Sequence, residues 1–441
     1  MIWSSEPCIW PNSLGVIFVN LMTIDEAKMA RNHHGMAVFG LLALLPIASV
    51  IIPWDFGPLE NQYRQLMAGH SLSPIVIELL IFIAFFKNEH LVSDFVRHSN
   101  WIDKIVGTVF LSAMLYSFLF VSHSQLLFIF GFLAVLIHLL FSLSLFDNMK
   151  QVDRHTQEYF WIILGVSVIG YTALWAVDFL VHPPTERDWI DRVPGVTNVR
   201  WAGFFWLSIF SAGLALARPS SLKRLFPALI FGAFGLTMTL WTGTRGSLIA
   251  IAFGTICAIV LSVGYRKFII KYCLASAIIA IAINVYAPVP HNQYGMDRII
   301  SRLQPNDVAT RGGSGRTELW KQTAQLARAH PLVGHGIDQF QKMGPEKTLG
   351  FKGPHSFPLQ LLFSVGLVGL FTLLYGIWRF LGMFRLQVDK PHEIAALTFF
   401  SGGCLYSLYD NFAYYPYSIA IFTVSVFMVF KPRRLLSSIS T

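Results

Sequence analysis

Residues 225–264, LFPALIFGAFGLTMTLWTGTRGSLIAIAFGTICAIVLSVG, contain two apolar runs separated by a short polar turn. The runs cover residues 225–242 and 247–264. Each approaches the roughly 20 residues that a helix needs to cross the ~30 Å apolar core of a bilayer. The turn between them, TGTRGS, holds one arginine between two glycines. The pattern predicts two consecutive transmembrane helices with a cation at their junction.

Ten more apolar runs of this kind occur along the 441 residues. Hydrophobic residues make up 54% of the chain and charged residues only 13%, against about 25% in soluble domains. This composition excludes an ordinary water-soluble fold and predicts an all-α polytopic membrane protein with about twelve transmembrane helices. The ten runs are 36–53, 72–86, 105–122, 125–146, 160–181, 201–217, 268–287, 357–378, 394–409 and 416–430.

The lysines and arginines predict an orientation for these helices. With both termini in the cytoplasm, 19 of the 33 fall in cytoplasmic segments and nine in one long outer loop, 288–356. Long translocated loops report orientation poorly. When this loop is left out, 19 cationic residues lie inside and 5 outside, which agrees with the positive-inside rule. The remaining five need another explanation, and they are Arg64, Arg187, Arg192, Arg200 and Arg245.

The predicted organisation has five parts. Residues 1–35 form a cytoplasmic or interfacial segment, and 36–287 hold the first nine transmembrane helices. Residues 288–356 form the outer loop, 357–430 hold the last three helices, and 431–441 form a cytoplasmic tail.

Inside the outer loop, RTELWKQTAQLARAHP predicts a helix that begins near Ser314 or Thr317 and ends before Pro331. Its apolar side would face the membrane interface or cover a cavity. A structural lid without substrate contact is the alternative interpretation.

Two of the unexplained arginines lie where a helix begins. Arg245, between Gly243 and Gly246, precedes a helix that is expected to start at about Ser247. The free N–H groups and the positive dipole end of that helix would favour an anion at the same place. Arg200 also precedes a run, where its charge opposes the helix dipole and so does not serve to stabilise the helix. Snorkelling of either side chain to lipid phosphates is the alternative.

Other candidate residues lie further along the outer face. His355 stands where the long loop re-enters the membrane, and a neutral imidazole can accept a proton from a hydroxyl group. Asp410 lies so close to the membrane that it needs a partner, and an outward arginine is expected to provide it. Tyr414 belongs to a group of tyrosines that predicts an aromatic belt and, as a weaker interpretation, sugar stacking. His330 and His335, in HPLVGHG, are interpreted as parts of a turn.

The sequence lacks motifs for several common reactions. It has no DxD, no HExxH, no P-loop and no GxGxxG that opens a helix after a strand. No metal or cofactor is therefore expected. Arginines suit a diphosphate because guanidinium groups bind phosphate in a bidentate manner. Outward arginines, a histidine and a long loop together indicate group transfer from a lipid diphosphate in the outer leaflet.

Five fragments in this order resemble the superfamily of bacterial O-antigen ligases and O-antigen polymerases. The fragments are TGTRGSL, GRTELW, HPLVGHGIDQF, HSFPLQLLFSVGLVGL and YDNFAYYPYS, and the similarity covers about residues 195–420. On this template Arg245 matches the family arginine after the small-residue turn, Arg200 the upstream arginine, and His355 the histidine before the next span. Ser356 departs from the asparagine or small residue that usually follows this histidine.

The resemblance implies a GT-C-like glycosyltransferase of the bacterial inner membrane with a large periplasmic loop and a periplasmic active site. It implies undecaprenyl-diphosphate-linked glycan as the donor, lipid A–core oligosaccharide or another glycan as the acceptor, and no metal. His355, Arg245 and Arg200 are then the catalytic candidates. Arg245, Arg200, Asp410, Arg316 and Tyr414 are the candidate substrate-binding residues.

Several functions remain open at this level. An O-antigen ligase is favoured because the outer loop is long and includes GRTELW. An O-antigen polymerase or a protein O-oligosaccharyltransferase of the same superfamily would use the same chemistry. A transporter of lipid-linked sugar is the alternative of another class, and it would place polar sites such as Glu78, His138 and Asp178 near the middle of the membrane.

Overall fold

The structure is a computed structural model that describes twelve stretches of the chain. They are residues 35–51, 72–85, 99–149, 152–183, 193, 199–217, 222–291, 294–301, 316–349, 351, 353–410 and 416–432. Residues 1–34, most of the predicted N-terminal segment, and 433–441, most of the predicted C-terminal tail, lie outside the described residues.

The described residues are almost entirely helical. A helix lies at each of the twelve predicted runs, and three further helices lie in the long loop. In chain order the helices are α1 (35–43), α2 (Leu45–Ile51), α3 (Leu72–Phe85), α4 (Trp101–Phe120), α5 (Gln125–Met149), α6 (Arg154–Val181), α7 (Gly203–Leu216), α8 (Leu222–Trp241), α9 (Arg245–Leu261), α10 (Arg266–Tyr286), α11 (Gly295–Ser301), α12 (Arg316–Ala327), α13 (Pro345–Thr348), α14 (Phe357–Met383), α15 (Pro391–Tyr409) and α16 (Pro416–Val429).

Length and hydropathy make this a polytopic membrane protein. Within the described residues, six helical stretches are long and apolar enough to cross a bilayer: Trp101–Phe120, Gln125–Phe146, Arg154–Val181, Lys223–Trp241, Val263–Tyr286 and Phe357–Met383. Four shorter apolar stretches accompany them: Pro74–Ala84, Gly203–Leu216, Arg245–Leu261 and Tyr417–Val429.

Two predicted helix starts differ from the structure. α9 begins at Arg245 and not near Ser247, so the arginine is itself the first helical residue. α12 begins at Arg316, which places Thr317 inside the helix and excludes it as the N-cap. Ser314, the other predicted cap, lies outside the described residues. Polar residues at a helix start do not fix the first turn to better than one or two positions.

Helix α7 is the centre of the bundle. Every residue from Gly203 to Ala215 is buried, and the helix packs against α6, α8, α9 and α15. An all-round apolar helix is expected in such a place because it has no face that prefers water. The first residues of α7 thereby come to lie beside the start of α9.

Helices α9 and α15 approach closely through small residues. A Cβ atom on Gly254 would lie 2.3 Å from the carbonyl oxygen of Thr398, and one on Gly402 would lie 2.6 Å from that of Ala250. Small residues allow such backbone contact between membrane helices. The pairing fixes the start of α9 against the end of α15, where the candidate site lies.

Helix α14 is broken at Gly366, and a segment of the long loop fills the break. Gly366 has φ +62°, which is outside the helical region. Its neighbours Leu367 and Val368 donate their N–H groups to the carbonyls of Pro331 (2.8 Å) and Leu332 (3.1 Å). The loop therefore accepts hydrogen bonds that a continuous helix would make internally.

The same loop segment also donates to the helix. The N–H groups of His335 and Gly336 bond to the carbonyls of Phe363 (2.7 Å) and Ser364 (2.9 Å). Buried backbone groups in a membrane protein must be paired, and here the loop HPLVGHG pairs them on both sides of the break. The turn predicted for this segment is thus a docked element that anchors the long loop to α14.

A short two-stranded ribbon is an addition to the predicted all-α fold. β1 (Phe384–Leu386) pairs antiparallel with β2 (Phe430–Pro432), with Arg385 opposite Lys431. Three-residue strands carry no alternation that a sequence could display. The ribbon joins the C-terminal ends of α14 and α16.

Candidate active site

Asp410 joins the long loop to the end of α15. It is the C-cap of that helix and only 5% exposed. Its Oδ1 lies 3.2 Å from Nδ1 of His355, and its Oδ2 lies 3.4 Å from Nη2 of Arg316. One carboxylate therefore contacts two candidate residues that are 39 positions apart in the sequence.

Arg316 binds the end of α15 at a second point. Its Nη1 donates to the carbonyl of Tyr409 at 2.5 Å, next to the contact with Asp410. A cation at a helix C-terminus interacts favourably with the helix dipole and with the terminal carbonyls. Since Arg316 is the first residue of α12, the contact holds the loop helix against α15. Arg316 was a predicted substrate-binding residue, and the structure gives it a clear structural contact.

His355 is held in an unusual backbone conformation. Its φ is +49°, a value uncommon for residues other than glycine and characteristic of strained functional sites. The preceding carbonyl, of Pro354, accepts a hydrogen bond from Nε1 of Trp320 at 2.9 Å, and the ring of Phe351 meets the imidazole edge-on at 5.5 Å. Loop residues thus fix the imidazole before α14 begins.

The contact with Asp410 determines how His355 can act. A carboxylate accepts hydrogen bonds, so Nδ1 carries the proton in the neutral imidazole. The opposite atom, Nε2, then holds a lone pair and can accept a proton. This is the arrangement that a general base requires.

Arg245 is placed by contacts of its neighbours in α9. The Oγ of Ser247 donates to the carbonyl of Gly203 at 2.8 Å, which joins the first turn of α9 to the first turn of α7. The hydroxyl of Tyr409 donates to the carbonyl of Gly246, also at 2.8 Å. Arg245 therefore lies one residue from a contact with α15, in a half-buried position.

Arg200 lies on the other side of the same contact region. Its carbonyl accepts a hydrogen bond from the hydroxyl of Tyr406 at 2.8 Å. A Cβ atom on Gly203 would lie 2.8 Å from both Cγ2 of Thr244 and the hydroxyl of Tyr406. The segments that carry Arg200 and Arg245 thus meet at the last turn of α15.

Five of the six predicted site residues belong to one cluster. Arg200, Arg245, His355, Asp410 and Arg316 all contact, directly or through a bonded neighbour, the stretch from Tyr406 to Asp410. Three of these five residues are arginines, and guanidinium groups suit an anionic substrate such as a phosphate. Tyr414 lies outside the described residues, as do Arg187 and Arg192.

His335, in the docked loop HPLVGHG, is packed and hydrogen-bonded within the protein. His335 is 5% exposed, donates from Nε2 to the carbonyl of Leu326 at 2.8 Å, and stacks on Phe363 at 4.7 Å between ring centroids. Burial lowers its pKa, and the nearby His330 lowers it further. A neutral, packed imidazole agrees with the interpretation of HPLVGHG as turn chemistry.

Polar residues near the middle of the predicted spans are paired with one another. Nδ1 of His138 lies 2.8 Å from Oε1 of Glu78, and its Nε2 lies 3.2 Å from Oγ1 of Thr423. Asp178 contacts His182 on the same helix at 3.4 Å. The first group connects α3, α5 and α16 and includes none of the residues of the cluster at the end of α15.

Sequence reasoning missed two residues of the cluster. Tyr406 and Tyr409 belong to the group of tyrosines that was interpreted as an aromatic belt or, more weakly, as a surface for sugar stacking. Their hydroxyls instead contact the segments that carry Arg200 and Arg245. Their three-residue spacing, directly before Asp410, places them on one helix face and was the signal available.

No metal site is evident in the part of the chain that the structure describes. It contains no group of three or more His, Cys, Asp or Glu side chains arranged to hold an ion. The expectation that the protein works without a metal stays a prediction.

The fold and the site define a class: a polytopic helical membrane protein in which a cluster of arginines, a histidine and an aspartate lies at the end of one helix and contacts a helix of the long loop. Residues 230–374 match the Wzy_C family, described as O-antigen ligase. Residues 230–374, about a third of the chain, are thus similar to this family, and the predicted resemblance is confirmed over that range. The matched range includes Arg245, Arg316 and His355. Arg200 and Asp410 lie outside this range and belong to the cluster through tertiary contacts.

A comparison with curated proteins gives a consistent result. The chain is 29% identical over 115 residues to a Pseudomonas aeruginosa protein named O-antigen ligase. The match spans 26% of this chain and 28% of that protein, so it supports the shared domain and not the whole molecule.

Proposed function

We propose that the protein is an O-antigen ligase: a glycosyltransferase that moves an oligo- or polysaccharide from undecaprenyl diphosphate to lipid A–core oligosaccharide. In this proposal about twelve helices cross the bacterial inner membrane, both termini are cytoplasmic and the active site is periplasmic. The observation that carries the proposal is the contact between His355 and Asp410, beside the start of α9 with Arg245. Family membership of residues 230–374 supports the same conclusion.

The first step concerns the acceptor. Nε2 of His355 takes the proton of an acceptor sugar hydroxyl, while Asp410 holds the protonated Nδ1 and stabilises the imidazolium that forms. The hydroxyl oxygen attacks the anomeric carbon of the donor sugar. Attack from the side opposite the leaving group inverts the configuration at that carbon.

The second event is the departure of undecaprenyl diphosphate. The bond between the anomeric carbon and the phosphate oxygen breaks, and its electron pair stays with the diphosphate. Arg245 and Arg200 stabilise this negative charge, and the N–H groups at the start of α9 add a favourable dipole. Removing one well-placed donor to developing charge commonly costs about 10²–10³ in rate.

The decisive experiment is transfer in vitro. Purified full-length protein is mixed with undecaprenyl-diphosphate glycan and rough lipopolysaccharide, without nucleotide or added metal. Arg245→Ala and His355→Ala should each reduce transfer by at least about 10². Arg328→Ala removes an exposed arginine of the same long loop and should leave transfer unchanged. Normal transfer by either of the first two variants overturns the catalytic assignment.

A gene deletion separates ligase from its relatives. Loss of all attached glycan supports the ligase, whereas lipopolysaccharide with a single attached repeat identifies a polymerase. Intact lipopolysaccharide with unglycosylated proteins identifies a protein O-oligosaccharyltransferase. Product formation by the purified protein in detergent would exclude a pure transporter.

A further inference from the structure

Two tyrosines, one helical turn apart, contact both arginine-bearing segments. The hydroxyl of Tyr406 donates to the carbonyl of Arg200, and the hydroxyl of Tyr409 donates to the carbonyl of Gly246, both at 2.8 Å. Residues three apart on a helix share a face. One face of α15 therefore reaches the start of α7 and the start of α9 together.

The fit between these rings and the two segments is tight. A Cβ atom on Gly246 would lie 2.6 Å from Cε2 of Tyr406, and one on Gly203 would lie 2.8 Å from its hydroxyl. Both positions accept the tyrosines only because they are glycine. Tyr406 itself is 4% exposed, so its hydroxyl is held in a defined place.

The same turn of α15 also contacts Arg316 and His355, the proposed proton acceptor. The carbonyl of Tyr409 accepts from Arg316, and the next residue, Asp410, contacts His355. The backbone from 406 to 410 is thus the common support of His355, Arg200 and Arg245. A displacement of about 1 Å between reacting groups can cost about 10² in rate.

We propose that Tyr406 and Tyr409 are positioning residues: their hydroxyls hold the segments of Arg200 and Arg245 at a fixed distance from His355. They touch no reacting atom and act through the two arginines. The proposal rests on the proposed function, because it assigns the arginines to the leaving diphosphate. The alternative is a purely structural role, in which the two hydroxyls only pair with backbone carbonyls that would lack a hydrogen bond.

The test is a double-mutant cycle on the purified full-length protein. Tyr409→Phe keeps the ring and removes the hydroxyl, and Arg245→Lys keeps the charge and loses the planar fork. We expect Tyr409→Phe to lower kcat by about 10–10² with little change in the donor KM. In the Arg245→Lys background the same change should lower kcat by less than threefold, because coupled residues are not additive. Tyr406→Phe should behave in the same way with Arg200→Lys.

A matched control distinguishes positioning from general stability. Tyr375, in the second half of α14, donates its hydroxyl to Oδ1 of Asp103 in α4. Tyr375→Phe therefore removes a hydrogen-bonded hydroxyl outside the cluster at the end of α15. Tyr375→Phe should lower the Tm without changing kcat, both in the wild-type protein and in the Arg245→Lys background.

The outcomes separate the two proposals. Absence of transfer by the wild-type protein overturns the proposed function, and normal transfer by Arg245→Ala overturns the catalytic assignment of that arginine. Either result overturns the positioning role as well. With those two controls as expected, unchanged kcat in both tyrosine variants, or additive effects in both cycles, overturns the positioning role alone.

Discussion

Nδ1 of His355 lies 3.2 Å from Oδ1 of Asp410, across 55 residues of sequence. The contact joins the start of α14 to the end of α15. It selects one imidazole tautomer and leaves Nε2 as the proton acceptor. Four predictions follow from this site and from the loop that supports it.

Asp410→Asn should lower kcat by about 10²–10³ while the protein still folds. An asparagine amide can donate to Nδ1 and so favour the tautomer with the proton on Nε2, which cannot act as a base. The measurement is the transfer rate at saturating donor. Asp389→Asn, an exposed aspartate at the other end of α15, serves as the control and should keep the wild-type rate. A wild-type rate for Asp410→Asn would show that the tautomer does not matter.

Arg316→Ala should reduce both stability and rate. The variant removes a hydrogen bond to the carbonyl of Tyr409 and a contact with Asp410, and hydrogen bonds to charged groups contribute about 1.5–3 kcal/mol. Thermal unfolding and transfer rate are measured side by side. Arg316→Lys should recover part of the stability and little of the rate, because a lysine cannot make both contacts. Equal recovery of both would show that only the charge is needed.

Gly366→Ala should destabilise the protein by about 2 kcal/mol or more and abolish transfer. Gly366 has φ +62° and ψ −162°, a conformation that essentially only glycine adopts, and holding a residue with a Cβ in such a region costs about 1–3 kcal/mol. The new Cβ would also lie 2.4 Å from the carbonyl oxygen of Leu332. Gly376→Ala, on the same helix, is the matched control, because a Cβ there meets nothing within 4 Å. If both variants unfolded at the wild-type temperature, the docked loop would not depend on the break in α14.

The docked loop should loosen in acid because of His335. Burial holds the pKa of His335 below its usual 6.5, so the folded state prefers the neutral imidazole. The unfolded state then binds more protons as the pH falls. The stabilisation is complete above about pH 6.5 and is lost as the pH drops through the lowered pKa of the folded protein.

Hydrogen exchange of loop amides between pH 7.5 and 5 measures this effect. His335→Phe can still stack on Phe363 and cannot titrate, so its exchange, corrected for intrinsic rates, should not rise in acid. His155→Gln changes an exposed histidine at the start of α6 and should leave the response intact. An acid response that survives in His335→Phe would assign it to another group.

Much of the fold followed from the sequence because the bilayer sets the length of each apolar run. All twelve predicted runs coincide with helices, although several differ in length, as α14 does in extending to Met383. The loop helix was also predicted, within two residues of its start at Arg316. Charge placement and the family motifs predicted that Arg200, Arg245, His355 and Asp410 lie on one face, and in the structure the segments that carry them meet at the end of α15.

The contacts within the site were decided by the tertiary structure. Asp410 was expected to pair with an arginine, and it does. The sequence did not show that this arginine would be Arg316, 94 residues away in the long loop. No periodic pattern records a contact between the end of one helix and the start of another, because it depends on the path of the connecting chain. The roles of Tyr406 and Tyr409 and the docking of HPLVGHG at Gly366 were invisible for the same reason. Hydropathy determined which segments are helices, whereas close packing of their ends determined which side chains meet.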